Sequence, residues 1–159
     1  MHIFEPKSGR EILSTIVGIV FGIGVITAVT YLAGYPWLIA PFGASALLLY
    51  SVPESPLAQP RNLFGGHIIA GVVGVGCYQL MGETWYSVTL SVTVAIVLMS
   101  LTRTSHPPGG ATAIVTVLGH YDYRFLLFPL LTGLIWMFVT ACVTNRISGE
   151  RQYPIRRRS

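Results

Sequence analysis

Residues 105–112, SHPPGGAT, set an imidazole (His106), two prolines, two glycines and two hydroxyls close together within a strongly apolar chain. A second stretch, PFGAS at 41–45, repeats these ingredients without the histidine. Such combinations suit the binding of a small anion. Proline has no backbone N–H and stops a preceding helix. Glycine lets backbone amides come close to a ligand or adopt positive φ. A helix starting there presents unpaired N–H groups and roughly half a positive charge to whatever lies before it. Ser45 and Thr112 can add hydroxyl donors, and His106 can titrate near neutral pH, gating the site or coupling it to protons. The candidate substrate-binding set is therefore Gly43, Ala44 and Ser45 with His106, Gly109, Gly110, Ala111 and Thr112.

Each feature also has a plainer reading. PPGG is first of all a turn or helix break. Ser45 and Thr112 can back-bond to helical carbonyls. His106, close to Arg103, can be a solvated or capping residue. His67, in GGHIIAG, reads as a buried and satisfied histidine ahead of a second polar ligand. Glu54, Gln59 and Arg61, in VPESPLAQPRN, read as a proline-braced loop, with a gate as the alternative.

Enzymatic chemistry is not expected. The four histidines are widely spaced without an HExxH pattern, and the six carboxylates fall almost entirely in expected loops. Ser105 and His106 are neighbours, which does not make them a nucleophile–base pair. No phosphate-cradling loop or nucleotide fingerprint is present, and neither a cofactor nor a metal is expected. Cys77 and Cys142 lie inside apolar runs and read as small packing residues.

These residues need elements to position them, and composition says which. The 159-residue chain is 52% hydrophobic and 10% charged, whereas soluble domains carry about 25% charged residues. Its apolar residues come in blocks, so it reads as an integral membrane protein. The first block follows a polar N-terminus and reads as a transmembrane helix in preference to a secretory signal. Net charge is +4, with the excess in Arg146, Arg151, Arg156, Arg157 and Arg158. Directly after a membrane span this indicates a cytoplasmic end, not nucleic-acid binding.

Four runs, 12–34, 63–82, 84–101 and 125–144, approach the roughly 20 residues that span a bilayer. Gly18 and Gly22, and Gly66, Ala70 and Gly74, fall at the fourfold spacing of close helix packing. Two shorter segments, 36–52 and 105–119, begin at prolines and continue as short helices. A helix from 110 to 119 covers only about half the hydrocarbon thickness. The remainder must cross as irregular backbone, which membranes tolerate only inside protein or along a wet cavity. PFGASAL (41–47) aligns with PGGATAI (108–114), so the chain reads as two units of helix, broken half-helix, helix, at about 11–82 and 84–145.

If both short segments cross, nine basic residues (Lys7, Arg10, Arg61, Arg103, Arg146, Arg151, Arg156, Arg157, Arg158) share one side and only Arg124 faces the other. If both dip and return, Arg61, Arg103 and Arg124 are all external. The positive-inside rule prefers the crossing arrangement, which inverts the second unit relative to the first. It also gathers Tyr35, Trp37, Trp85, Tyr86, Tyr121 and Tyr123 in an outer aromatic belt. The two half-helix N-termini, near Gly43 and Gly110, then approach the midplane from opposite sides. They make an anion site without a buried Lys or Arg, which would be costly there.

SHPPGGATA at 105–113, with PFGASALLLYSVPESPLAQPRNLFGGH at 41–67, resembles the HPP family of integral membrane proteins, named for the triplet at His106, Pro107 and Pro108. The resemblance covers nearly the whole chain. It implies a small membrane protein of bacteria, algae or plastids with about four helices plus intervening segments. It also implies nitrite transport, the activity associated with cyanobacterial and chloroplast members. Some members carry a C-terminal CBS module, which is not expected here. A single HPP-type transmembrane domain over 1–159 is expected.

The expected fold is all-α: a polytopic membrane bundle of two inverted repeats, with four full spans plus two shorter segments. The expected function is a channel or carrier for a small monovalent anion, nitrite ahead of chloride, nitrate or formate. The alternative is a non-transporting scaffold or accessory subunit. The expected partners are the lipid bilayer and further copies of the chain in a homo-oligomer, without nucleic acid. The expected location is a bacterial inner membrane with both termini cytoplasmic.

Overall fold

The computed structural model describes residues 7–149 and 151–155, and every regular element among them is helical. The basic run Arg156, Arg157 and Arg158 lies outside the described residues. Helix α1 (Gly9–Ala33) starts at a capping box in which Ser8 and Glu11 satisfy each other's backbone amides, and ends at Gly34 in the left-handed region. Helix α2 (Pro41–Ala46) runs on into a π-helical turn, Leu47–Ser51. A single 3-10 turn (Pro56–Ala58) leads into α3 (Pro60–Met81), which is followed by α4 (Trp85–Leu101) and α5 (Pro107–Leu118). The last run is helical from Leu126 but passes through an extended residue, Phe128, before α6 (Thr132–Ser148).

Three stretches, Gly9–Ala33, Pro60–Met81 and Leu126–Ile147, are long and apolar enough to cross a membrane, while α4 and α5 are shorter. Large apolar side chains on α1, including Leu13, Ile16, Val20 and Phe21, point outward. Outward apolar groups are what a lipid-facing surface requires.

Two expectations need correction. The run at 125–144 is not one uninterrupted helix, because Pro129 removes a backbone donor and the chain is extended at Phe128. The second short helix does not begin near Gly110. It begins at Pro107, because prolines fit the first turn, where their missing N–H would have no partner. The preceding helix already ends at Leu101. Neither Gly109 nor Gly110 takes positive φ, which among the described glycines occurs at Gly34, Gly82 and Gly149.

Gly109 is instead required for contact. A Cβ there would lie 2.9 Å from the Gly66 carbonyl oxygen and 3.2 Å from the Met99 sulfur, whereas at Gly110 it would meet nothing. Backbone on the facing helix cannot swing aside. Gly109→Ala is therefore expected to cost about 1–3 kcal/mol, the usual range for overpacking, while Gly110→Ala leaves stability near wild type. Melting temperatures of the two variants in detergent check this difference.

Helices α1 and α6 pack together, as do α4 and α3, and α5 lies against both α3 and α4. The α2 segment touches α1, α5 and, through its π turn, α6. Tyr50 from that turn packs over Gly18 and Gly22, so the GxxxG pair receives an aromatic ring in place of another helix backbone. Its hydroxyl meets the Met137 carbonyl at 3.2 Å and the Thr140 hydroxyl at 2.7 Å.

The end of this short segment is capped from elsewhere in the chain. Helices leave their last carbonyls without intrahelical partners. Asn145 donates to the Leu49 carbonyl at 3.0 Å, Arg151 donates to that of Tyr50 at 2.8 Å, and Lys7 donates to that of Ser51. Two of these donors are cations at a helix C-terminus, the end that favours positive charge. Arg151 is also paired with Glu11 at 3.1 Å, and its side chain is 1% exposed. Burial, and then the neighbouring Arg151 guanidinium, hold the Lys7 ammonium below the usual lysine range. Beyond Arg151, the Tyr153 hydroxyl donates to the Ala58 carbonyl at 2.9 Å, tying the segment that follows α6 over the Pro56–Ala58 turn.

Candidate functional site

Four polar side chains meet inside the bundle: Ser45 from α2, His67 from α3, His106 immediately before α5, and Thr112 on α5. All are at most 1% exposed. Packing explains the meeting point. Gly66 admits the His106 Cβ, Gly109 closes on Gly66, and the Phe42 ring sits edge-on to His67 with centroids 6.1 Å apart. The two imidazole centroids are 4.9 Å apart.

The contacts form a chain. His106 Nδ1 lies 2.8 Å from the Leu57 carbonyl, and its Nε2 lies 3.0 Å from Ser45 Oγ. Ser45 Oγ is 2.8 Å from His67 Nε2, and His67 Nδ1 is 2.7 Å from Thr112 Oγ1. A carbonyl only accepts, which fixes every direction when both rings are neutral. His106 Nδ1–H donates to Leu57, so its Nε2 accepts from the Ser45 hydroxyl. Ser45 oxygen then accepts from His67 Nε2–H, and His67 Nδ1 accepts from the Thr112 hydroxyl. No member is left unpaired. This is the only arrangement of two neutral rings that satisfies all four contacts.

Of the sequence-derived set, the fold brings together Ser45, His106 and Thr112. The others take different positions. Gly43 and Ala44 are exposed, Gly110 and Ala111 are half-buried, and Gly109 is buried against Gly66. The backbone amides of the first turns are also engaged. Phe42 and Gly43 donate to the carbonyls of Ile39 and Ala40, Gly109 donates to that of His106, and the prolines have none to offer. The donors that remain for chemistry are thus hydroxyls and imidazoles. His67, read from sequence as a satisfied core histidine, is buried and satisfied, and it also links Ser45 to Thr112. Nothing in its spacing from His106 signals this, because the link depends on α3 packing against α5. Among the described residues, no group of His, Cys, Asp and Glu side chains is placed to hold a metal ion.

The signature around these residues extends to the whole fold. The model of the HPP transmembrane region matches residues 5–154. This chain belongs to the HPP transmembrane family. Two transmembrane proteins of Dictyostelium discoideum are similar to it. One is 40% identical over 126 residues, covering 74% of this chain and 44% of that protein. The other is 38% identical over 127 residues, covering 75% and 41%. This HPP chain therefore spans less than half the length of the curated relatives it matches. No solved structure matches it. With its outward apolar helices, this HPP protein is an integral membrane protein.

Proposed function

We propose that this HPP protein is a transporter or channel for a small monovalent anion, nitrite ahead of chloride, nitrate and formate. The observation that carries the reading is the buried, uncharged and donor-rich cluster of Ser45, His67, His106 and Thr112, where α5 begins beside α2. Conduction needs sites that bind well enough to admit an ion and weakly enough to release it. Neutral hydroxyl and imidazole donors meet that need, and a buried Lys or Arg does not. The structure holds the cluster closed on itself. Passage requires it to open, turning the Ser45 and Thr112 hydroxyls toward the anion.

The packing of α1 on α6 and of α4 on α3 sets each unit's first helix against the last helix of the other. That exchange supports two inverted repeats at about 11–82 and 84–145, the plan of many carriers. The basic-residue split supports cytoplasmic termini in a plasma membrane. The exposed Gly43 and Ala44, with the half-buried Gly110 and Ala111, leave room for another copy of the chain, in keeping with a homo-oligomer.

A scaffold reading is favoured by one observation: every hydrogen bond of the cluster is satisfied internally. Flux in proteoliposomes separates the two. Wild type should pass nitrite, and Gly110→Val, which adds bulk in the first turn of α5 where a Cβ meets no neighbour, should pass at least about tenfold less, equivalent to about 1.4 kcal/mol, while still folding. Equal flux in the two proteins would remove Gly110 from the path. No flux of any small anion through wild type would favour the scaffold.

A further inference from the structure

We propose that His106, Ser45, His67 and Thr112 form a proton relay in which one proton passes between the two imidazoles through the Ser45 hydroxyl, supplying the anion path with a coupling ion. The coupling role rests on the transport reading, whereas the relay is a property of the cluster alone.

The geometry suits the transfer. Ser45 Oγ lies 2.8 Å from one Nε2 and 3.0 Å from the other, so a single hydroxyl bridges the two rings. Hydroxyls both donate and accept, and imidazoles exchange one N–H for the other. Let water deliver a proton to His67 Nδ1 when Thr112 turns away. His67 then carries protons on both nitrogens. Its Nε2 proton moves to Ser45 Oγ as the original Ser45 proton moves to His106 Nε2. His106 is now the cation, with Nδ1–H still on the Leu57 carbonyl. Ser45 donates back to His67 Nε2, His67 Nδ1–H donates to Thr112, and the Thr112 hydroxyl turns to the Pro108 carbonyl, 3.4 Å away. The Ser45–His67, Ser45–His106 and Thr112–His67 hydrogen bonds all reverse, no bond between heavy atoms breaks, and the charge has moved from one ring to the other.

The surroundings leave the pair to itself. Helices α2 and α5 carry no titratable side chain. On α3, Arg61 is exposed and bonds to the Thr102 carbonyl, while Cys77 and Tyr78 lie in its last turns. Arg103 and Glu54 are exposed in the flanking loops, and Tyr86 is exposed near the start of α4. On α6, Arg146 is exposed, and in the π turn Tyr50 is engaged with Thr140. None of these groups hydrogen-bonds either ring. Below His106, the Pro56–Ala58 turn that supplies the Leu57 carbonyl borders a cleft lined by Gln59, Arg61, Asn62 and Arg103, which brings water close to that end of the chain.

Nitrogen NMR of wild-type protein with isotope-labelled histidine, in bilayers, tests the relay without requiring flux. At neutral pH, His106 should carry its proton on Nδ1 and His67 on Nε2. On acidification the signals of both rings should move together as the pair takes up one proton, well before a second. In Ser45→Ala the two rings should respond separately. The same tautomer on both rings, independent titration in wild type, or no uptake by either ring down to about pH 4, below the usual histidine range, would overturn the relay. The wild-type spectra decide the matter even if Ser45→Ala does not fold. Nitrite flux alongside independent titration would refute the relay and spare the transport reading. Shared titration without flux would do the reverse.

Discussion

His67→Ala is expected to abolish nitrite flux and to destabilise the protein by several kcal/mol. The ring fills a fully buried position, and truncating a large buried side chain costs about 3–5 kcal/mol through lost contacts and residual cavity. Its loss also removes one hydrogen bond from each of two buried hydroxyls, at about 0.5–1.5 kcal/mol per bond; Ser45 keeps His106, and Thr112 can turn to the Pro108 carbonyl. His67→Gln separates structure from function. The amide can still donate toward Ser45 and accept from Thr112, so most of the stability should return. An amide does not exchange protons as an imidazole does, so flux should stay well below wild type. Full flux in His67→Ala would place the anion path elsewhere.

The second large effect is expected far from the cluster, at Arg151. Arg151→Met should lower stability by about 2–3 kcal/mol, measured as the melting temperature in detergent. Breaking a buried ion pair costs about 3–5 kcal/mol when the abandoned charge stays buried. Glu11 is 25% exposed at its side chain and regains some water, which reduces the figure. The Tyr50 carbonyl loses one of its two donors and keeps the Thr15 hydroxyl at 2.6 Å. Arg151→Lys should not restore stability. Nε serves Glu11 while Nη1 serves Thr15 and Tyr50, a fork that a single ammonium does not reproduce. Because the same turn continues α2, loosening it should also misplace Ser45. A wild-type melting temperature in Arg151→Met would contradict this capping role.

Sequence made the helical blocks legible because hydrophobic runs in a membrane chain are long and their ends carry strong signals. Ser8 with Glu11 opens α1, and Gly34 closes it. The two short helices were also readable, from Pro41 and from Pro107 with Pro108. Where the second begins was not, since proline both stops a helix and opens one, and local sequence does not choose between them. The interruption at Phe128 hid inside an otherwise apolar run whose Pro129 was the available clue.

Ser45, His106 and Thr112 stood out because polar residues near helix breaks are conspicuous in an apolar chain. His67 was noticed as a buried, satisfied histidine, but not as the link between Ser45 and Thr112, because its partners come from α2 and α5, 22 and 45 positions away. Arg151 was legible as one of the basic residues that follow the last apolar run but not as a buried cap, because the carbonyl it serves belongs to a residue 101 positions earlier. Contacts across such separations are set by which helices pack together, and periodicity carries no record of that.

The most direct measurement is nitrite entry into proteoliposomes holding the wild-type protein, compared with empty vesicles of the same lipid and with vesicles holding His67→Gln. The account predicts entry well above both controls, falling toward the empty-vesicle rate in His67→Gln. Entry no faster than in empty vesicles, for nitrite and for chloride, nitrate and formate alike, would contradict it and leave the cluster as a packing device.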